Sequence, residues 1–92
     1  MNPLTIPQRD TLRFLYWFRE RHGYMPTLRD LMAALGLKST NSMTDRLRGL
    51  ERKGCIIRKK MLSRAIRITD RGMQALGRLD DPWPFFDVEK SA

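Results

Sequence analysis

Apolar residues Leu12, Leu15 and Phe18 recur at helical spacing near the start of the chain, behind the segment Thr5-Ile6-Pro7-Gln8. Thr5 can cap a helix, Gln8 stands three residues on as a capping box requires, and proline is tolerated in a first turn. The pattern predicts a helix from about Pro7 to Arg21 that stops before Gly23. Phe14, Tyr16 and Trp17 add large side chains on further faces, more than one buried stripe needs.

Pro26-Thr27-Leu28-Arg29-Asp30 opens a second helix, with Thr27 and Asp30 placed as another capping box. Leu28, Leu31, Met32 and Leu35 form its buried stripe, and Gly36 is the natural stop. Ser39 or Thr40 then caps a third helix that ends at Gly54, the expected left-handed terminus. Two helices separated by a short glycine-containing turn are the helix-turn-helix signature.

From Cys55 the period changes. Ile56-Ile57-Arg58-Lys59 and Arg64-Ala65-Ile66-Arg67-Ile68 read as the strands of a hairpin with its tip at Lys60-Met61-Leu62-Ser63, a tip without glycine. A last helix is expected from Thr69 or Asp70 to about Leu79, with Met73, Leu76 and Leu79 on one side and Gly72 and Gly77 weakening it. The fold class is therefore mainly α with a small β-hairpin: a winged helix-turn-helix, three helices plus a wing, extended by a C-terminal helix and an aromatic tail. Residues 1–79 form one domain, and residues 80–92, too rich in proline for helix, form an acidic-aromatic tail.

Charge adds a partner to this outline. The chain has 18 Lys and Arg against 10 Asp and Glu, a net +8. Residues 80–92 hold four acids (Asp80, Asp81, Asp87, Glu89) and one base (Lys90), which leaves residues 1–79 at +11. So basic a body suits a polyanion, because each phosphate it neutralises releases condensed counterions. No apolar run approaches the roughly 20 residues that span a bilayer, so no membrane partner is expected. The N-terminus lacks the basic and apolar regions of a signal peptide, and the lone Cys55 fits a reducing cytoplasm.

The third helix carries the candidate chemistry. At about 100° per residue, Met43, Leu47 and Leu50 fall within roughly 60° of one another and face the core. Asn41, Asp45, Arg48 and Arg52 lie opposite, with Thr44 and Gly49 flanking them and Ser42 further round. A DNA-reading helix sets its N-terminal residues against base edges. Asn can bond adenine bidentately, Asp accepts from cytosine, Ser and Thr serve either role, and Arg48 can read guanine or bind phosphate. Ser39, Asn41, Ser42, Thr44, Asp45 and Arg48 are thus the candidate base readers. Arg52 and Lys53, nearer the C-terminal end, suit phosphates, as do Lys59, Lys60, Ser63 and Arg64 of the basic hairpin, where Arg58 and Arg67 also cluster. Thr27 and Arg29 at the second helix and Lys38 in the turn complete the backbone-contacting set. The same Lys and Arg residues also guard an exposed sheet edge against aggregation.

Catalysis is not expected. His22 is the sole histidine, at a helix end, and Cys55 alone cannot supply a metal site. No metal, cofactor or small-molecule ligand is indicated. A winged helix can instead bind another protein, as an antirepressor or inhibitor, and the acidic aromatic tail would suit that; RNA binding is disfavoured by the lack of aromatics within the basic region.

The segments Leu4-Thr5, Gln8, Gly23-Tyr24-Met25-Pro26-Thr27-Leu28-Arg29-Asp30-Leu31, Ala34-Leu35-Gly36-Leu37-Lys38-Ser39, Leu47, Leu50-Glu51-Arg52-Lys53-Gly54 and Ser63-Arg64-Ala65-Ile66-Arg67-Ile68 resemble the N-terminal DNA-binding domain of LexA repressors. The resemblance spans about residues 4–68 and implies a winged domain whose third helix reads operators of damage-response genes. By the same resemblance Ser39, Asn41, Ser42, Thr44 and Asp45 match the base-reading segment, and Arg52, Ser63 and Arg64 match positions near the backbone. Ser42 and Thr44 stand where the family usually has an acidic or small apolar residue, and Arg46 where it commonly has His, so the operator need not be the family's own. The self-cleaving domain of full repressors does not fit in this length, so self-cleavage is expected to be absent. Thr69-Asp70-Arg71-Gly72 with Leu76 resembles the helix after the wing in other winged-helix regulators, and the family's acidic linker is missing. Both features favour a free-standing relative, from a phage or another mobile element, over a fragment.

Trp83, Phe85 and Phe86 each carry an area of order 150–250 Å² that water does not favour. They are expected to bury either on the surplus aromatics Phe14 and Trp17 of the first helix or on a second subunit, with a homodimer favoured because two half-sites are usual for such regulators.

Overall fold

A computed structural model describes residues 4–59 and 65–77. Helix α1 (Ile6–His22) begins at Thr5, whose hydroxyl accepts from the Gln8 amide while the Gln8 side chain accepts from the Thr5 amide. Helix α2 (Leu28–Leu35) starts with the equivalent reciprocal pair, Thr27 and Asp30. Gly36 ends it at φ +71°, a left-handed backbone that L side chains rarely adopt, and the chain turns at once into α3 (Thr40–Arg52). Ser39 caps α3 through the Ser42 amide, and Gly54, at φ +75°, carries the chain out of it.

Strands β1 (Ile56–Arg58) and β2 (Ile66–Ile68) pair antiparallel, Ile56 opposite Ile68 and Ile57 opposite Arg67. Both are shorter than the sequence suggests. Period-two alternation puts Ile56 and Ile68 into the core and leaves Ile57 and Arg67 exposed. The hairpin tip, Lys60 to Arg64, and residues 78–92 lie outside the described residues, so the tail and the domain boundary drawn at residue 79 do as well.

Leu12, Leu15, Leu31, Met43, Leu47 and Leu50 are essentially inaccessible and fill the space between the first three helices; Met25, Cys55, Ile56 and Ile68 close it beneath the wing. Burying each Leu side chain contributes roughly 1.5–3 kcal/mol, enough to fix how α3 sits on α1 and α2. Thr11, also fully buried, satisfies its hydroxyl on the Pro7 carbonyl at 2.8 Å.

Helix α4 (Asp70–Leu76) is capped by Thr69. Met73 is 38% exposed, Leu76 packs half-buried against the core, and Leu79 lies outside the described residues. Gly72 is no weakness: it is buried where a Cβ would strike the Cys55 carbonyl oxygen and lie 2.8 Å from Ile68 Cγ2. Its missing side chain lets α4 press onto the start of the wing.

Candidate DNA-reading surface

Along α3 the three core residues and the polar face separate as the helical period requires. Met43, Leu47 and Leu50 are buried, whereas Ser39, Asn41, Ser42, Asp45, Arg48 and Arg52 are exposed and Thr44 is half-buried. Five of the six candidate base readers thus stand in solvent on consecutive turns. Asp45 and Arg48 face each other at 4.0 Å with side chains 75% and 63% exposed, a contact loose enough to open for a base edge.

Gly49 departs from expectation. It does not flank the polar face in solvent; it is buried against the side chain of Gln8, because the start of α1 crosses α3 at that point. Lys53 follows it, half-buried, with its ammonium donating to Gln8 Oε1 at 2.6 Å. The Lys53 ammonium is therefore tied to α1, while Arg52, one residue earlier, points outward.

Three further ties fix the C-terminal end of α3. Arg58 Nε of β1 donates to Glu51 Oε1 at 3.0 Å. The Thr69 hydroxyl donates to the Gly54 carbonyl, and Arg71 Nη1 reaches the Lys53 carbonyl at 3.5 Å. Arg58, one of the five cations counted around the hairpin, is thus used inside the domain.

Arg29 and Lys38, expected on the DNA backbone, are both exposed and line one groove of about 690 Å³ with Leu28, Met32, Leu37 and Thr40. Thr27 has a structural task as the α2 cap, accepting from the Asp30 amide at 3.1 Å. Lys59 is exposed at the end of β1, its amide donating to the Ala65 carbonyl at 3.0 Å. Lys60, Ser63 and Arg64 lie outside the described residues, as do Trp83, Phe85 and Phe86. Phe14 belongs to the core at 4% exposure and stacks on half-buried Trp17, with centroids 5.7 Å apart. His22 lies at the α1 terminus with its ring 4.2 Å from that of Phe18. Sequence reasoning passed over Arg13, whose 8% exposure no helical pattern marks, and saw in Gln8 only a cap.

Among the described residues no group of three or more His, Cys, Asp or Glu could hold a metal, and no helix is long and apolar enough to cross a membrane. Burial raises the Cys55 thiol above its ordinary pKa, with Arg71 and Lys53 pulling weakly the other way.

The tight glycine turn between α2 and α3, the exposed face of α3 and the two-stranded hairpin beside it define a winged helix-turn-helix domain. Among solved structures it is similar to the transcriptional regulator MosR of M. tuberculosis (25% identity, TM-score 0.67, 96% of this chain and 62% of that one). It is also similar to MepR, a transcription regulator of the Staphylococcus aureus multidrug efflux pump MepA (26%, TM-score 0.68, again 96% and 62%). Residues 1–65 match the model of the LexA DNA binding domain, and the chain belongs to that family. The LexA repressor of Anaeromyxobacter dehalogenans strain 2CP-1 is 44% identical over 77 residues, 84% of this chain and 34% of the relative. That of Sorangium cellulosum strain So ce56 is 44% identical over 70 residues, 76% and 30% of the two chains. The chain thus spans about a third of the length of these curated relatives.

Proposed function

We propose that this chain is a sequence-specific repressor that binds duplex DNA in the cytoplasm by laying the first turns of α3 in the major groove. It acts by binding, without catalysis. The observation that carries the reading is the exposed row Ser39, Asn41, Ser42, Asp45 and Arg48 on a helix whose other side is fixed to the core, in a domain of a DNA-binding family. The exposed cations Arg29, Lys38, Arg52 and Lys59, on α3 and the elements around it, suit the phosphates that run beside a groove-bound helix. Its operators control damage-response or mobile-element genes, in keeping with relatives named LexA repressor. Selection of duplexes from a random pool tests this: a defined consensus, bound with an affinity that falls steeply as salt rises, is the expected result. Retention of no duplex at low ionic strength would refute it.

Two copies on half-sites about one helical turn apart, roughly 34–36 Å, would supply the affinity that one module of this size lacks. Trp83, Phe85 and Phe86, which lie outside the described residues, are the candidates to hold the second copy. Removing residues 80–92 is expected to halve the mass in sedimentation and lower the melting temperature; unchanged mass and melting would exclude that role.

A further inference from the structure

The amide of Gln8 does more than complete a cap. Its Oε1 accepts from the Thr5 amide at 3.1 Å and from the Lys53 ammonium at 2.6 Å, so one oxygen joins the first turn of α1 to the residue that caps the C-terminus of α3. Its Nε2 lies over Gly49, so close that any Cβ there would overlap it, with Gln8 Cδ 3.2 Å away. Glycine in mid-helix costs about 1 kcal/mol relative to alanine. An alanine Cβ at this position would have to displace the end of the Gln8 side chain.

We propose that Gln8 is a positioning residue for DNA reading. Through Lys53 and Gly49 it sets the spacing and tilt of α3 against α1, and hence the reach of Asn41, Ser42 and Asp45, without touching DNA. The inference rests on the DNA-binding reading above. Its physical basis is leverage. The polar ties of α3 gather near residues 49–53, whereas the readers stand near residues 39–45, beside the buried Met43. At about 1.5 Å per residue, a small tilt at the tie displaces the reading end by several times as much as at a residue beside it. Loss of the tie therefore acts on discrimination between sequences, which needs side chains placed within hydrogen-bonding tolerance, more than on general attraction to phosphates.

The test has two arms. Without DNA, a double-mutant cycle of Gln8→Ala and Lys53→Met is read by thermal or denaturant unfolding. The two changes should be non-additive by at least ~tenfold in the unfolding constant, the size of one hydrogen bond to a charged group. Additive effects would overturn the tie itself.

With DNA, Gln8→Ala and Gly49→Ala should each lower the ratio of selected to random duplex affinity by at least ~fivefold, the order of one misplaced contact, with the salt slope unchanged. Gln8→Glu keeps an acceptor for both Thr5 and Lys53 and should restore the ratio. Thr5→Ala weakens the cap alone, so it should lower stability and leave the ratio intact. Gly49→Ala is the sharper variant, because it gains helix propensity and yet must displace the Gln8 amide. An unchanged ratio in folded Gly49→Ala and Gln8→Ala, or equal weakening on all duplexes, would overturn the positioning role. A wild-type chain without preference among duplexes would instead sink the DNA-reading proposal, and the unfolding cycle would still judge the tie.

Discussion

Arg58 Nε lies 3.0 Å from Glu51 Oε1, which fastens the first strand of the wing to the last turn of α3. The side chains are 18% and 31% exposed, so water screens the pair less than an open surface contact. Glu51→Gln should lower stability by about 1 kcal/mol, and hydrogen exchange should accelerate at the amides of the wing before those of α1. Uniform acceleration across the chain would show that the pair does not hold the wing in particular.

The base-reading and backbone roles differ in how they fail. Asn41→Ala should change which duplexes are selected. Lys59→Ala should weaken all of them about equally and reduce the salt slope by roughly one. Equal loss on every sequence for Asn41→Ala would remove Asn41 from the readers.

Gly72→Ala should destabilise by about 1–3 kcal/mol, although alanine is the better helix former, because the added carbon meets the Cys55 carbonyl and Ile68. A melting temperature equal to or above that of the wild type would contradict the close approach of α4 to the wing.

Burial holds the Cys55 thiol protonated beyond its ordinary pKa of 9.0, so between the unfolded and folded values the unfolded chain loses a proton that the native one keeps. The native state then binds more protons, and its stability must fall as pH rises through that window, having been fully present below it. Denaturant titrations at rising alkaline pH should show this decline, and Cys55→Ala should lack that component. Parallel curves for the two proteins would show that the thiol does not contribute.

The outline of the fold was legible because each helix states its own limits. Thr5 with Gln8, Thr27 with Asp30, and Gly36 are local devices whose physics involves only neighbouring residues. The core stripe of α3 was legible for the same reason, since Met43, Leu47 and Leu50 repeat at its period. What escaped was decided between elements. Gly49 reads as part of the polar face on a helical wheel, and only the crossing of α1 buries it. Gly72 reads as a weak helix position until β1 and β2 are set beneath it. Lys53 and Arg58 look like two more cations in a basic stretch, because spacing along the chain does not announce partners 45 and 7 residues away.

The crowding of ties at residues 49–54 and the burial of Met43 and Leu47 leave the outer face of α3 with little structural duty. Asn41, Ser42 and Asp45 are exposed and support almost none of the packing, so their exchange leaves the chassis intact, whereas Ser39 must keep its cap. A library randomised at those three positions, with Ser39 and Met43 retained, should stay folded almost throughout while its target sequences diverge. Target choice can then drift in a lineage without a detour through unstable intermediates.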